Sequence, residues 1–193
     1  MKFFFRVLAK LIGWKVLGEK PKDDQYVVIF APHTSNWDVV LLLFLRTLLD
    51  LKPRFIGKHT LFKGPVGWFL TALGGSPVNR SSPKDIVDQI IQKFNDDPQF
   101  KLAIAPEGTR SKKDHWKTGF YRIAVAANVP IYLVYLDVKT RTMGLEKEPI
   151  MPSGDIEKDF ELLREFYADK QGVIPECTSD VRVKKDTKSE KTN

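Results

Sequence analysis

The chain has almost no cysteine and no long apolar run. Its one cysteine, Cys177, excludes an internal disulfide and is typical of a reducing compartment. The longest uninterrupted apolar run, residues 39–45, falls far short of the roughly 18 residues of a membrane-spanning helix. Charges interrupt the N-terminal apolar residues and no small-residue cleavage site follows them, so we expect no signal peptide. The length of 193 residues fits one globular domain.

Histidine is also scarce, with three residues in the chain, which limits the metal sites that it can form. His33, His59 and His115 have no metal-ligand spacing between them, so we expect no metal site. No strand–G-x-S-x-G–helix segment is present, which argues against Ser35 as a nucleophile.

The charge balance favours an anionic partner. Lysine and arginine outnumber aspartate and glutamate by 31 to 24, which gives a net charge of +7. Nucleic acid, anionic lipid and acidic carrier proteins all fit this charge. Aromatic residues are not conspicuously interleaved with the lysines, so nucleic acid is the least favoured.

The first 22 residues predict an amphipathic, basic helix over residues 3–17. Lys2, Arg6 and Lys10 recur every four residues, opposite an apolar side. Such a helix is typical of a membrane interface, but a helix packed on its own domain fits the same pattern, and the two can coexist. We interpret residues 1–22 as a membrane-associating segment.

Short apolar strands alternate with helical segments along the rest of the chain. This alternation predicts an α/β fold with a mainly parallel, twisted sheet flanked by helices. The predicted strands are residues 26–30, 54–57, 101–105 and 131–137, and the predicted helices are residues 37–49, 66–73, 83–95, 119–127 and 155–168. From residue 176 onward apolar residues are sparse and lysines frequent, which predicts a disordered basic tail over residues 176–193.

A histidine and a carboxylate follow the first buried strand of this domain. If His33 lies in the loop and Asp38 on the first helical turn, the carboxylate can accept the Nδ1 proton and leave Nε2 basic. Such an imidazole can take a proton from an attacking hydroxyl. In the alternative interpretation, His33 only ends the strand and Asp38 only stabilises the helix N-terminus.

A second polar loop, Pro106-Glu107-Gly108-Thr109-Arg110-Ser111, follows the strand predicted at residues 101–105. Gly108 allows a close backbone approach, and Arg110 can hold a phosphate through two hydrogen bonds. Glu107 repels phosphate, so it fits better as the partner of an arginine or of a glycerol hydroxyl. Arg80, after another apolar segment, is a further candidate to bind phosphate. An ordinary polar turn and a solvated arginine are the alternatives.

The order of these motifs resembles that of the glycerolipid acyltransferases, which include the bacterial 1-acylglycerol-3-phosphate acyltransferases. The similarity spans residues 27–136 and includes Val129-Pro130-Ile131 before the last strand. The resemblance implies that His33 is a general base oriented by Asp38. It also implies roles in acceptor binding for Arg80, Glu107, Gly108, Thr109 and Arg110.

The resemblance further implies an acyltransferase domain over residues 23–175. That domain would move a fatty acyl group from acyl-CoA or acyl carrier protein, as co-substrate and without a further cofactor, to a lysophospholipid hydroxyl in phospholipid biosynthesis. The chain departs from the family pattern at Pro32, Asn79, Ala105 and Leu133, which leaves the acceptor open. A thioesterase or lipid hydrolase, or an acyltransferase for another lysolipid or a lipoamino acid, is an alternative, as is a non-enzymatic basic binding module. We expect a peripheral protein on the cytoplasmic face of the membrane.

Overall fold

A seven-stranded sheet forms the centre of the protein. The computed structural model describes residues 2–78 and 83–184. The strands are β1 (Lys15–Leu17), β2 (Tyr26–Ala31), β3 (Arg54–Lys58), β4 (Gly75–Val78), β5 (Lys101–Ile104), β6 (Ile131–Asp137) and β7 (Thr142–Leu145). Their spatial order is β1-β7-β6-β2-β5-β3-β4, and only the β6–β7 pair is antiparallel in this part of the chain. The predicted mainly parallel α/β architecture is confirmed.

Helices cover both faces of the sheet. They are α1 (Lys2–Leu11), α2 (Asn36–Leu49), α3 (Gly64–Ala72), α4 (Pro83–Asp96), α5 (Gly119–Ala127) and α6 (Ile156–Tyr167), with short 3₁₀ turns at His59–Phe62 and Pro175–Cys177. One core contains buried residues of α4, α5 and α6, and the other contains buried residues of α2. The result is a helix–sheet–helix arrangement of three layers.

The central strand β2 shows why its sequence is continuously apolar. Val27 and Ile29 pack into the core beneath α4, α5 and α6, whereas Tyr26 and Val28 pack into the core beneath α2. Successive side chains of a strand point to opposite faces, so a strand covered on both faces must be apolar throughout. This burial fixes β2 and therefore the loop that follows it.

Strand β5 lies directly beside β2 and runs in the same direction. Ile29 is in register with Ile104, so the two strands end at the same edge of the sheet. The loops after β2 and β5 therefore meet there, which is where open α/β sheets bind their ligands.

The N-terminal segment differs from the predicted helix over residues 3–17. Helix α1 ends at Leu11, Gly13 adopts a φ of +74°, and Lys15–Leu17 pairs with Thr142–Gly144 as an edge strand. Residues 1–22 are thus not a separate helical unit, because β1 belongs to the central sheet. Ala9 is buried, while Phe4 and Leu11 remain exposed. No helix in residues 2–78 and 83–184 has the length and apolar character needed to cross a membrane.

The predicted disordered tail is wrong for residues 176–184. Ser179 is buried and its hydroxyl accepts a hydrogen bond from the Lys113 N–H at 3.0 Å, while the Trp116 N–H donates to the Arg182 carbonyl at 3.0 Å. Val181 and Val183 pack against the core formed with α4, α5 and α6. These apolar contacts and hydrogen bonds hold the segment, and the lysines on which the prediction rested lie beyond it, apart from Lys184. The remainder of the predicted tail, residues 185–193, lies outside the described residues.

Candidate active site

The loops after β2 and β5 are joined by a hydrogen bond from a main-chain N–H to a carboxylate. The N–H of His33 donates to both Oε1 and Oε2 of Glu107, each at 3.0 Å. The two polar motifs of the sequence, some seventy residues apart, therefore form one site at the edge of the sheet.

The His33 side chain faces Asp38, as the five-residue spacing of the two residues allows when His33 lies in the loop and Asp38 on the first helical turn. Nδ1 of His33 lies 3.5 Å from Oδ2 of Asp38. Ser35 is the N-cap of α2 and Asp38 is the third residue of the helix, so the chain turns back between the two side chains. His33 thus lies in the loop and Asp38 on the first helical turn.

Asp38 is held by main-chain donors, with the His33 ring nearby. It is fully buried, and Oδ2 accepts hydrogen bonds from the N–H groups of Thr34 at 2.5 Å and Ser35 at 2.6 Å. Burial acts to raise the pKa of Asp38, but the neighbouring His33 ring and these two N–H donors outweigh it and lower the pKa. The carboxyl group therefore stays ionised at neutral pH.

The imidazole of His33 is partly exposed, but not at the atom that faces Asp38. Its side chain is 14% exposed, whereas Nδ1 is buried and forms no hydrogen bond with the described residues. The ring also packs edge-on against Phe30, with centroids 5.3 Å apart. Solvent and ligands can therefore reach the ring only on the side away from Nδ1.

Glu107 is a buried carboxyl group. It is only 2% exposed, and burial, partly offset by the His33 N–H, raises its pKa from 4.5 to about 7. Both of its oxygens face the His33 main chain. The sequence interpretation placed Glu107 against an arginine or a substrate hydroxyl, but the main-chain contact could not be foreseen from the motif.

Gly108, Thr109 and Arg110 form the outer part of the second loop. Gly108 has a φ of +63°, which glycine adopts readily, and its N–H donates to the Ala105 carbonyl. The Thr109 hydroxyl accepts from the Ser111 N–H at 3.3 Å. The exposed Arg110 donates from its guanidinium to Oδ1 of Asn36, the first residue of α2. This contact is a second connection between the two loops.

Lys117 joins the site although the sequence analysis did not single it out. Its N–H donates to the Pro106 carbonyl at 2.8 Å. Its Cδ, Cε and Nζ atoms lie 2.6–2.8 Å from where a Cβ on Gly108 would be, so glycine leaves room for the lysine side chain. The only sequence signal was a lysine just before the helix that follows the loop.

Arg80, the other predicted phosphate-binding residue, lies outside the described residues, as does Asn79. Pro130, from the fourth motif, immediately precedes β6, and its carbonyl accepts from the Val27 N–H at 3.0 Å. Residues 2–78 and 83–184 contain no cluster of histidine, cysteine, aspartate or glutamate that could hold a metal ion.

Comparison with known proteins identifies a family model and several relatives. The family model described as Acyltransferase matches residues 14–137. The 1-acyl-sn-glycerol-3-phosphate acyltransferase of Escherichia coli K12 is 28% identical over 153 residues, which cover 74% of this chain and 61% of that protein. The enzyme of the same name from Streptococcus pneumoniae R6 is 27% identical over 140 residues, covering 66% of this chain and 51% of that protein.

The chain thus spans between half and three fifths of the length of these curated relatives. A solved structure also matches: the 1-acyl-sn-glycerophosphate acyltransferase from Thermotoga maritima. It has a TM-score of 0.57 and 23% sequence identity, with 86% of this chain and 73% of that chain covered. This match supports the observed arrangement of strands and helices.

Proposed function

Because the chain belongs to the Acyltransferase family, we propose that it transfers a fatty acyl group from a thioester to a hydroxyl of a lysophospholipid. The acceptor that fits best is 1-acylglycerol-3-phosphate, which is named in the curated relatives. The observation that carries the proposal is the pairing of the partly exposed His33 ring with the buried Asp38.

The His33–Asp38 pair supplies a general base. Asp38 lies on the Nδ1 side of the ring and favours the tautomer with the proton on Nδ1, which leaves the Nε2 lone pair free. Nε2 removes the proton of the acceptor hydroxyl as its oxygen attacks the thioester carbonyl carbon. Ionised Asp38 stabilises the imidazolium that forms, in the manner of the aspartate in a serine-protease triad.

The transfer then completes without an acyl-enzyme. The tetrahedral intermediate collapses, the carbon–sulfur bond breaks, and the departing thiolate takes the proton from the imidazolium. The products are an ester of the acceptor and a free thiol, and His33 returns to its neutral form. Holding the hydroxyl beside the thioester contributes up to roughly 7–11 kcal/mol to lowering the barrier.

Cations near the site can bind the acceptor phosphate. Arg110 and Lys117 lie on the loop that contacts His33 through Glu107, and Asn36 fixes the guanidinium of Arg110 on one side. Arginine has five N–H donors, so the others can still bind a phosphate. Arg80 is retained in this role from the sequence pattern alone. Phosphate binding would hold the acceptor hydroxyl near His33.

Exposed apolar side chains on three helices support binding at a membrane surface. Several exposed apolar side chains lie on three helices: Phe4 and Leu11 of α1, Trp37 and Val40 of α2, and Val66, Trp68 and Phe69 of α3. Helices α1 and α2 are in contact, and Arg46 of α2 donates to the Leu73 carbonyl at the end of α3. Arg6 and Lys10 of α1 are exposed and suit anionic lipid.

Trp37, one of these exposed residues, is adjacent in sequence to the buried Asp38, so membrane contact at Trp37 would place the site near the lipid. We therefore propose peripheral association with the cytoplasmic face of the membrane. The acyl donor would be acyl-CoA or acyl carrier protein, whose anionic groups fit the net charge of +7.

Product analysis tests this proposal. Purified protein is incubated with acyl-CoA or acyl carrier protein thioester, with lysophosphatidate, another lysophospholipid, a lipoamino acid or no acceptor, and the lipids are identified by mass spectrometry. We expect diacylated phosphatidate and one thiol released per ester formed. Thiol release at the same rate without acceptor would instead identify a hydrolase. No turnover of either thioester with any acceptor would refute the assignment.

A further inference from the structure

The segment that follows α6 reaches the His33 loop from the C-terminal side of the chain. Residues 170–174 lie beyond residues 14–137, the region that the family model matches. The Gln171 N–H donates to Oδ1 of Asp137 at 3.2 Å, and the Val138 N–H donates to the Gln171 carbonyl at 2.8 Å. These bonds fix one end of the segment to the end of β6.

The other end of the segment contacts Thr34, the residue after His33. The Ile174 N–H donates to Oγ1 of Thr34 at 3.0 Å. A Cβ placed on the buried Gly172 would lie 2.6 Å from Oγ1 and 2.7 Å from Cγ2 of Thr34, and 3.2 Å from Cβ of Pro32. The close approach of the two segments therefore leaves no room for a side chain at position 172.

Thr34 is central to the geometry of the His33–Asp38 pair. It is 2% exposed, its N–H donates to Oδ2 of Asp38, and it is covalently joined to His33. A displacement of Thr34 would therefore move the ring and its carboxylate partner relative to each other. Proton transfer is sensitive to such displacements, because a misplacement of about 1 Å can cost about 10²-fold in rate.

We propose that residues 170–174 position the His33 loop for proton transfer, with Gly172 as the essential contact. Glu107 holds the main chain of His33 from β5, and the 170–174 segment holds Thr34 from the end of α6. Gly172 is a positioning residue, since it acts on the His33–Asp38 pair through Thr34. The kinetic part of this proposal rests on the proposed acyltransferase function.

The substitution Gly172→Ala tests the proposal, with Gly119→Ala as the matched control. A Cβ at Gly119 would have only Val87 Cγ2 nearby, at 4.0 Å, so the same change fits there. For Gly172→Ala we expect kcat to fall about 10-fold or more while the KM values of both substrates stay within about twofold. We expect the control to keep the kcat of the original protein.

A second variant separates positioning from a general loss of stability. Thr34→Ser removes the Cγ2 atom and keeps the hydroxyl that accepts from Ile174. In the Gly172→Ala background it should recover part of the lost kcat. A fold-change in kcat of the double variant that equals the product of the two single-variant fold-changes would contradict a direct contact. If Gly172→Ala does not fold, Thr34→Val takes its place, since it removes the hydroxyl that accepts from the Ile174 N–H and that also lies 3.4 Å from Oδ2 of Asp38. It should lower kcat and leave both KM values within about twofold, and an unchanged kcat would overturn the proposal.

A measurement on the resting protein separates this proposal from the proposed function. The ring resonances of His33, assigned with a His33→Gln variant, are recorded by NMR for the original protein, Gly172→Ala and Gly119→Ala. We expect them to shift in Gly172→Ala and not in Gly119→Ala. Unshifted His33 resonances in folded Gly172→Ala would overturn the positioning role even if acyl transfer is observed. A clear shift would support it even if no acyl transfer is observed.

Discussion

The main-chain N–H of His33 donates to both carboxylate oxygens of Glu107, at 3.0 Å each, inside a site where Glu107 is almost fully buried. This contact joins the ends of two adjacent parallel strands at the residue proposed as the general base. A buried carboxyl group that contacts the main chain in this way contributes to the geometry of the loop and also responds to pH. Both properties lead to measurable expectations.

Glu107 should make the stability of the protein fall as the pH rises. Its pKa is about 7 in the folded protein, whereas the ordinary value, which applies to the unfolded chain, is 4.5. Between these two pH values the folded state therefore retains a proton that the unfolded state releases. The free energy of unfolding therefore loses up to about 3 kcal/mol from this group across that window.

Glu107→Gln cannot titrate and should lack this component. Urea unfolding of both proteins at pH 5, 6, 7 and 8 measures the difference. We expect the stability of the variant to rise relative to the original protein by up to about 3 kcal/mol between pH 5 and 8. Stability curves that run parallel across this range would show that the buried carboxyl group does not titrate there.

Asp38→Asn should abolish most of the activity while leaving the helix cap in place. The amide oxygen can take the place of Oδ2, which accepts from the Thr34 and Ser35 N–H groups and lies 3.5 Å from Nδ1 of His33. The neutral amide no longer stabilises the imidazolium that forms when Nε2 takes the proton of the acceptor hydroxyl. By comparison with the same change in a serine-protease triad, kcat should fall by about 10³–10⁴-fold.

Asp159→Asn is the matched control for this variant. Asp159 is also a buried carboxylate, and in the first turn of α6 it accepts hydrogen bonds from Tyr121 and Ser153. Its replacement should lower stability, with kcat unchanged at temperatures where the protein is folded. An Asp38→Asn variant within tenfold of the original kcat would contradict the role of Asp38.

The fold and the position of the site could be predicted because both depend on local patterns. Apolar runs such as residues 26–30 indicate buried strands, and polar motifs directly after them must lie at the carboxyl edge of a parallel sheet. The spacing of His33 and Asp38 allowed contact only if a helix began between them, and Ser35 provides that N-cap.

The contacts that complete the site could not be predicted, because they join residues distant in sequence. Ile174 donates to Thr34 from 140 positions away, and Arg110 reaches Asn36 from 74 positions away. Residues 15–17 continued the helical pattern, and only pairing with Thr142–Gly144 makes them a strand. The burial of Glu107 likewise depends on tertiary packing that its motif does not encode.

Lys117 should contribute to binding of an anionic acceptor. Its ammonium group lies beside Gly108, and a charge-assisted hydrogen bond to phosphate contributes about 1.5–3 kcal/mol. Lys117→Ala should therefore raise the KM for lysophosphatidate by about 10-fold or more and change the KM for the thioester less. Steady-state kinetics with each substrate varied in turn measure both values.

Lys158→Ala, which removes an exposed lysine on α6, is the control for the change in net charge. It should leave both KM values unchanged. An equal rise in the acceptor KM for the two variants would assign the effect to overall charge, and an unchanged KM in Lys117→Ala would exclude a contact with the acceptor.

The exposed apolar residues of α3 should contribute to membrane binding. Trp68 is 77% exposed, and burying such a side chain in lipid contributes about 1.5–3 kcal/mol. Trp68→Ser should therefore weaken binding to vesicles that contain phosphatidylglycerol by about 10-fold, as measured by co-sedimentation. Leu162→Ser, at an exposed apolar position on α6, should not change it. Equal binding by Trp68→Ser and the original protein would place the membrane contact elsewhere.

The most direct test of the account is the release of thiol from an acyl thioester by the original protein and by His33→Gln, each with and without lysophosphatidate. We expect release by the original protein to require the acceptor and to fall by at least about 10³-fold in His33→Gln, with the protein still folded. Acceptor-dependent release that survives in His33→Gln would contradict the assignment of His33 as the base that activates the acceptor hydroxyl.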